Sequence, residues 1–173
     1  MPAVDVTITY LEMREPGALR PRLASRGGLA LALVDPPSAE VNAFLYGAVG
    51  EAYHWLDRRT WTDAEWNTEL RCDGTETWVL SVDGAEAGFF ELTMPAPGIR
   101  EILYFGLLPG FEGQGLGAHL LTLAAQRAWS AGATKVIVNT CTLDHPRAMP
   151  NYLARGFESV GTRTERRELP EHV

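Results

Sequence analysis

The sequence predicts a single α/β domain built on one mixed, mostly antiparallel sheet with helices on both faces. Three observations carry this prediction. "TWVLSVDGAEAGFFEL" (77–92) sets Asp83-Gly84 between two strand-like runs, the mark of a tight antiparallel hairpin. "EILYFGLL" (101–108) is almost continuously apolar, as a central strand covered on both faces should be. "FEGQGLGAHLL" (111–121) then opens a helix behind alternate glycines, and "KVIVNTCTL" (135–143) returns as a strand.

Each element has its own local signal. "DVTITYLEM" (5–13) alternates Val6, Ile8 and Tyr10 with Thr7 and Thr9 and reads as a strand. A loop rich in Pro, Arg and Gly leads to a second strand, "LALALV" (29–34). In 36–53 the period becomes helical, with Val41, Phe44, Leu45, Ala48 and Ala52 on one face and Ser38 as N-cap. Thr62 and Glu65 form a capping box ahead of Trp66 and Leu70. After the glycines, Gly117, Leu120, Leu121, Ala124 and Ala128 make a buried stripe, and His119, Thr122, Gln126 and Ser130 a polar one. Gly132 ends that helix. "HPRAMPNYLARGF" (145–157) is a short helix. Starting near Arg147, it keeps Pro150 among the first four amides, where no donor is needed. A charged strand and a frayed tail over 165–173 finish the chain. The domain spans 1–173, with no repeat or linker to divide it.

Composition narrows the function. At 173 residues, 46% hydrophobic and 21% charged, the chain suits one core. A net charge of -7 argues against a sequence-independent grip on nucleic acid, which needs a basic face. It leaves small anions open, because backbone amides can hold a phosphate in an acidic protein. No basic region precedes an apolar stretch at the start, and no apolar run reaches a bilayer span. Cys72 and Cys141 alone make neither a disulfide framework nor a zinc site. A cytoplasmic setting, no metal and no membrane are therefore expected.

The glycine stretch has three readings. It can be a strained strand-to-helix turn. Gly113, Gly115 and Ala118 also fit a dinucleotide fingerprint. That motif needs a parallel unit and an acidic residue about 20 positions on, where this chain has the apolar "VIVNTC". Or it can be a pyrophosphate cradle, with Gly113, Gly115 and Gly117 baring unpaired amides at a helix N-terminus.

"ILYFGLLPGFEGQGLGAHLL" (102–121) resembles the acyl-CoA-binding motif of the GNAT superfamily of N-acyltransferases. "HPRAMPNYLARGF" resembles its second motif, with Ala148, Tyr152, Gly156 and Phe157 in register. The likeness is strongest over 75–160. Two positions depart from it: Glu112 stands where Arg or Gln is usual, and His145 where Asn is usual.

The resemblance implies transfer of an acyl group, usually acetyl, from coenzyme A to a primary amine. An amine of pKa near 10.4 is neutral in only about one molecule in 2,000 at pH 7, so the site needs a base. It also needs an acid for the leaving thiolate and donors for the carbonyl oxygen. The family likeness makes Glu101 the candidate base and Tyr152 the candidate acid. It gives the amide of Leu107 or Leu108 as the carbonyl donor, and Gly113, Gln114, Gly115, Gly117, Ala118 and His145 as the cofactor-binding set. Glu91 competes as base or as a group orienting the acceptor. Trp55 and Trp61, among Asp57, Arg58 and Arg59, are candidate walls of the acceptor pocket. The acceptor is a small-molecule or peptide amine, and a homodimer stays open. Two rivals remain: a non-catalytic acyl-CoA sensor, and O-acylation.

Overall fold

The computed structural model describes residues 2–170. Chain order is β1 (Ala3–Met13), β2 (Leu29–Leu33), α1 (Ala39–Gly50), α2 (Asp63–Leu70), β3 (Glu76–Val82), β4 (Ala85–Ala96), β5 (Ile99–Leu107), α3 (Leu116–Ser130), β6 (Lys135–Cys141), α4 (Ala148–Arg155) and β7 (Glu158–Glu168). The strands form one seven-stranded sheet in the order β2-β3-β4-β5-β6-β1-β7. Every pairing is antiparallel except β5 with β6. The predicted class, mixed and mostly antiparallel with helices on both faces, is what the chain adopts.

Local signals hold at the turns and caps. Asp83 and Gly84 both take positive φ (49° and 83°), the two-residue turn whose twist suits a hairpin. The Ser38 side chain accepts from the Val41 amide, and Thr62 with Glu65 completes its capping box. Pro150 falls in the first turn of α4, and Gly156 ends that helix at φ 107°.

The two faces carry separate cores. Leu116, Leu120, Leu121, Ala124 and Ala128 of α3, with Tyr152 of α4 and Phe157, pack on Leu11, Phe90, Leu92, Ile102 and Val138. On the other face Leu45 and Val49 of α1 meet Val79 and Phe89, while Tyr46 packs with Trp66 and Leu70 of α2. At Gly106 α1 packs tightly on β5: a Cβ there would come within 2.4 Å of Val49 Cγ1.

Hydropathy misplaces two stripes. In α1 the buried residues are Asn42, Leu45, Tyr46, Val49 and Gly50, and Phe44 is exposed. Asn42 donates to Thr77 Oγ1 at 2.7 Å and Tyr46 accepts from the Arg58 amide at 3.1 Å. These bonds offset the cost of burying the Tyr46 hydroxyl and the Asn42 Nδ2, while Asn42 Oδ1 stays buried without a partner among the described residues. Thr122, expected on the polar stripe of α3, is fully buried. Its hydroxyl donates to Ala118 O and accepts from the Arg22 amide, while His119 Nδ1 accepts from the Ala24 amide. The polar side of α3 is thus the seat of the β1–β2 loop. The expected fraying does not hold over 165–168: Glu165, Arg166, Arg167 and Glu168 pair with β1. Residues 171–173 of that tail lie outside the described residues.

Candidate active site

The site follows from how β5 and β6 meet. They pair only over Ile99–Glu101 against Lys135–Ile137. Beyond this the strands part, and a cleft of about 960 Å³ opens between them. Its walls include Gly113, Gly115, Gly117, Ala118 and Tyr152, from the α3–α4 face. They also include Trp55, Tyr104, Ile8, Cys141 and Arg167. Tyr104 and Trp55 belong to the α1–α2 side. Ile8 and Cys141 are partners in the ladder, and they alternate with Leu11 and Val138, which face α3. The cleft therefore passes through the sheet.

At the α3 mouth, Gly115 is the N-cap in the left-handed conformation at φ 76°. Side chains are strained there, which is why glycine occupies it. Gly117 lies within the helix, and a Cβ on it would meet only Asn151 Nδ2, at 3.8 Å. Here an extra carbon would fill cleft rather than core. Unpaired amides at the start of a helix, with no side chains over them, suit a pyrophosphate. The residues present fit coenzyme A.

The Leu107 amide is the carbonyl donor the geometry favours. The Leu108 amide is engaged by Ala87 O at 2.8 Å, and Leu108 does not line the cleft. Backbone groups alternate sides along an antiparallel strand, so Leu107 turns its N–H away from β4, toward the gap. Of the two amides expected from the sequence, Leu108 is ruled out.

Tyr152 is 6% exposed, lies between Phe105 and Phe157, and lines the cleft. Burial, with the charge of Asp144, pushes its phenol well above the usual value. The hydroxyl stays protonated at neutral pH, as an acid must. His145 lines the cleft and its Nδ1 accepts from the Arg147 amide at 3.0 Å. It thus caps the approach to α4 and leaves Nε2 for the cleft.

Glu101 is half-buried at the closed end of the gap, two residues before Leu103 of the lining. Burial alone pushes its carboxyl up. It is not itself among the lining residues. Glu112 does line the cleft, exposed, with Oε1 accepting from Tyr53 Oη at 3.4 Å.

Three other expectations are corrected. Glu91 is 1% exposed and accepts twice from Arg58 Nη1, at 2.9 and 3.0 Å. Burial still pushes that carboxyl up, against the pull of Arg58. It anchors the loop and is withdrawn from any acceptor. Trp61 covers the Arg58 guanidinium at 4.5 Å and packs on Trp66, away from the cleft. The Gln114 side chain turns outward to Arg26, which donates to it at 2.9 Å. Of the two acceptor-side tryptophans, only Trp55 reaches the cleft.

Sequence reasoning missed Arg22, Tyr53, Asp144, Asn151, Arg155 and Arg167, all in the lining. Asn151, one residue before Tyr152, could have been found from its place in the second motif. It donates to Gly117 O at 3.1 Å and ties α4 to the start of α3. The others carry no local pattern.

Among the described residues, no cluster of three metal-ligating side chains occurs and no helix is long and apolar enough to cross a membrane. No curated protein matches the sequence. Among solved structures, a GCN5-related N-acetyltransferase from Kribbella flavida is 24% identical, with TM-score 0.66, over 95% of this chain and 58% of that one. One from Sphaerobacter thermophilus is 17% identical, with TM-score 0.66, over 96% and 52%. An aminoglycoside acetyltransferase from an uncultured soil metagenomic sample, in complex with sisomicin, is 14% identical, with TM-score 0.57, over 74% and 86%. These likenesses show the fold. The chain spans just over half the length of the first two. The family model of the acetyltransferase (GNAT) family matches residues 42–157, and the chain belongs to that family.

Proposed function

We propose that the chain transfers an acetyl group from acetyl-CoA to a primary amine by direct attack, with both substrates bound at once. The observation that carries this is the cleft through the sheet, which joins the glycine-lined mouth at the start of α3 to an opposite mouth through the β5–β6 gap. Acetyl-CoA supplies the activated acyl thioester. Gly113, Gly115, Gly117 and Ala118 hold its phosphates with backbone amides. The Leu107 N–H is placed for a carbonyl oxygen. Glu101 receives the amine proton through water, and Tyr152 holds a proton at Oη for the departing sulfur.

The acceptor enters from the α1–α2 side, past Trp55 and Asp57. Asp57 is exposed and offers a carboxylate to a cation there. Aminoglycosides, named for one structural neighbour, belong in the test panel with amino acids, polyamines and peptides. Two free cysteines accord with a cytoplasmic setting.

The test is release of free thiol from acetyl-CoA over that panel. Amine-dependent release is expected. Tight acetyl-CoA binding with no release from any amine would make the chain a sensor, and release driven by hydroxyl compounds would make it an O-acyltransferase.

A further inference from the structure

Several arginines in this chain pair with carboxylates. Arg58 pairs with Glu91, Arg127 with Glu76, Arg14 with Glu12 and Arg166 with Asp5. Arg155 does not. It is 7% exposed, lines the cleft, and its Nε is buried without a hydrogen-bond partner. Its neighbour in charge is another cation, Arg22, which also lines the cleft. Two arginines without a carboxylate partner among the described residues thus line one cleft, close enough for their charges to repel, in a chain of net charge -7. Burying an unpaired charge is costly, and an anion between them would remove the cost.

The backbone holds the pair in place. Arg20 N donates to Arg155 O at 2.8 Å, and Arg22 N donates to Thr122 Oγ1 at 3.0 Å. These bonds lay the β1–β2 loop across α3 and the last turn of α4 and leave both side chains uncommitted. A basic side chain in the last turn of a helix can simply answer the helix dipole. That explanation is insufficient here, because the guanidinium caps no carbonyl and the charge of a second arginine in the same lining opposes it.

We propose that Arg22 and Arg155 form a phosphate-monoester subsite at the α3–α4 end of the cleft, taking the 3′-phosphate of the coenzyme A adenosine. This rests on the cofactor reading given above. Thr122, which fixes Arg22, is five residues beyond Gly117 and so roughly 8 Å up the helix. That is about the span between the 5′ and 3′ phosphates of one nucleotide. The division of labour is chemical. Backbone amides suit the bridging pyrophosphate, and a doubly charged monoester calls for guanidinium forks.

The test compares coenzyme A with 3′-dephospho-coenzyme A by titration calorimetry on the full chain. The wild type should prefer coenzyme A by about tenfold or more, as expected for charge-assisted hydrogen bonds to a phosphate. Arg22→Gln and Arg155→Gln should bring that ratio toward one and leave the affinity for the dephospho compound unchanged. Arg22 is exposed, so Arg22→Gln decides the matter even if Arg155→Gln fails to fold. Equal affinities in the wild type, or a preference that survives Arg22→Gln, overturn the subsite and leave the cofactor reading standing. Binding of inorganic phosphate that Arg22→Gln abolishes, with no preference for coenzyme A, overturns its assignment to the adenosine. If neither coenzyme binds, the cofactor reading itself falls, and the subsite with it.

Discussion

At the residue scale, Glu101 carries two opposed signatures that one substitution separates. Burial raises its carboxyl pKa in the folded state, with no cation to offset it. For such a group the protonated form is favoured by folding. That contribution is complete below the unfolded pKa and is lost as pH rises through the folded pKa. Ionised Glu101 therefore destabilises the fold at pH 7. Glu101→Gln should melt higher than wild type at pH 7, with the gap closing below about pH 4. Activity should move the other way. A base must be ionised, so the raised pKa sets the acid limb of kcat/KM above the usual carboxylate range. In Glu101→Gln that limb should vanish, with turnover down about 10²–10⁴-fold at neutral pH and recovering as the free amine appears. Melts at two pH values and a pH–rate profile check both halves; a variant that melts no higher and keeps its acid limb removes Glu101 from the mechanism. Tyr152 is the complementary case. Tyr152→Phe keeps the ring between Phe105 and Phe157. Turnover should drop by a similar factor with acetyl-CoA affinity unchanged, since only a transition-state proton is lost. Steady-state kinetics beside a thermal melt distinguish this from a packing defect.

At the scale of the element, two glycines at the head of α3 should behave differently. Gly115→Ala places a side chain at φ 76° and should destabilise by about 1–2 kcal/mol, although the new Cβ touches nothing. Gly117→Ala sits in ordinary helix and should stabilise by up to about 1 kcal/mol. Both should weaken acetyl-CoA binding, because both put a carbon into the phosphate mouth. Denaturant melts and titrations on the two variants check this; unaltered affinity in Gly117→Ala would move the cofactor off α3. Such elements were legible in the sequence because their signals are local. The Asp83-Gly84 turn, the Thr62–Glu65 box and the glycine cradle each fit within a few residues. What hydropathy could not show is a polar side chain engaged from afar. Asn42 is answered from β3 and Thr122 from the β1–β2 loop, so neither stripe could be placed correctly from its own helix. The same holds for the site. Glu91 looked like a free strand carboxylate until Arg58, 33 residues away, was seen to hold it. Arg22 joins Arg155 in the cleft lining only because a patternless loop crosses two helices.

At the scale of the whole molecule, the proposed direct attack rests on the shape of the sheet. On the proposed function, the cleft between β5 and β6 would let acetyl-CoA and the amine approach from opposite faces and meet in the gap. A route through an acyl-enzyme would need a nucleophile in that gap, and Cys141 is the cysteine that lines it. Its environment opposes the role. Burial, with the charge of Asp144, pushes the thiol above its usual pKa, and the thiolate is the form that attacks. Its Sγ instead lies 3.8 Å from Asp144 Oδ1, as a weak donor. Asp144 in turn accepts from the Cys141 amide and the Thr140 hydroxyl, which holds the turn between β6 and α4. Cys141→Ala should therefore keep turnover within about threefold of wild type, since it removes no group the transfer uses. Initial-rate plots against both substrates should intersect, as they do when both must be bound together. Mass spectrometry of the protein after acetyl-CoA alone should show no acetyl adduct. Parallel plots, with an adduct on Cys141 that disappears in Cys141→Ala, would instead route the acetyl group through the enzyme and make the second mouth an entrance used only after coenzyme A has left.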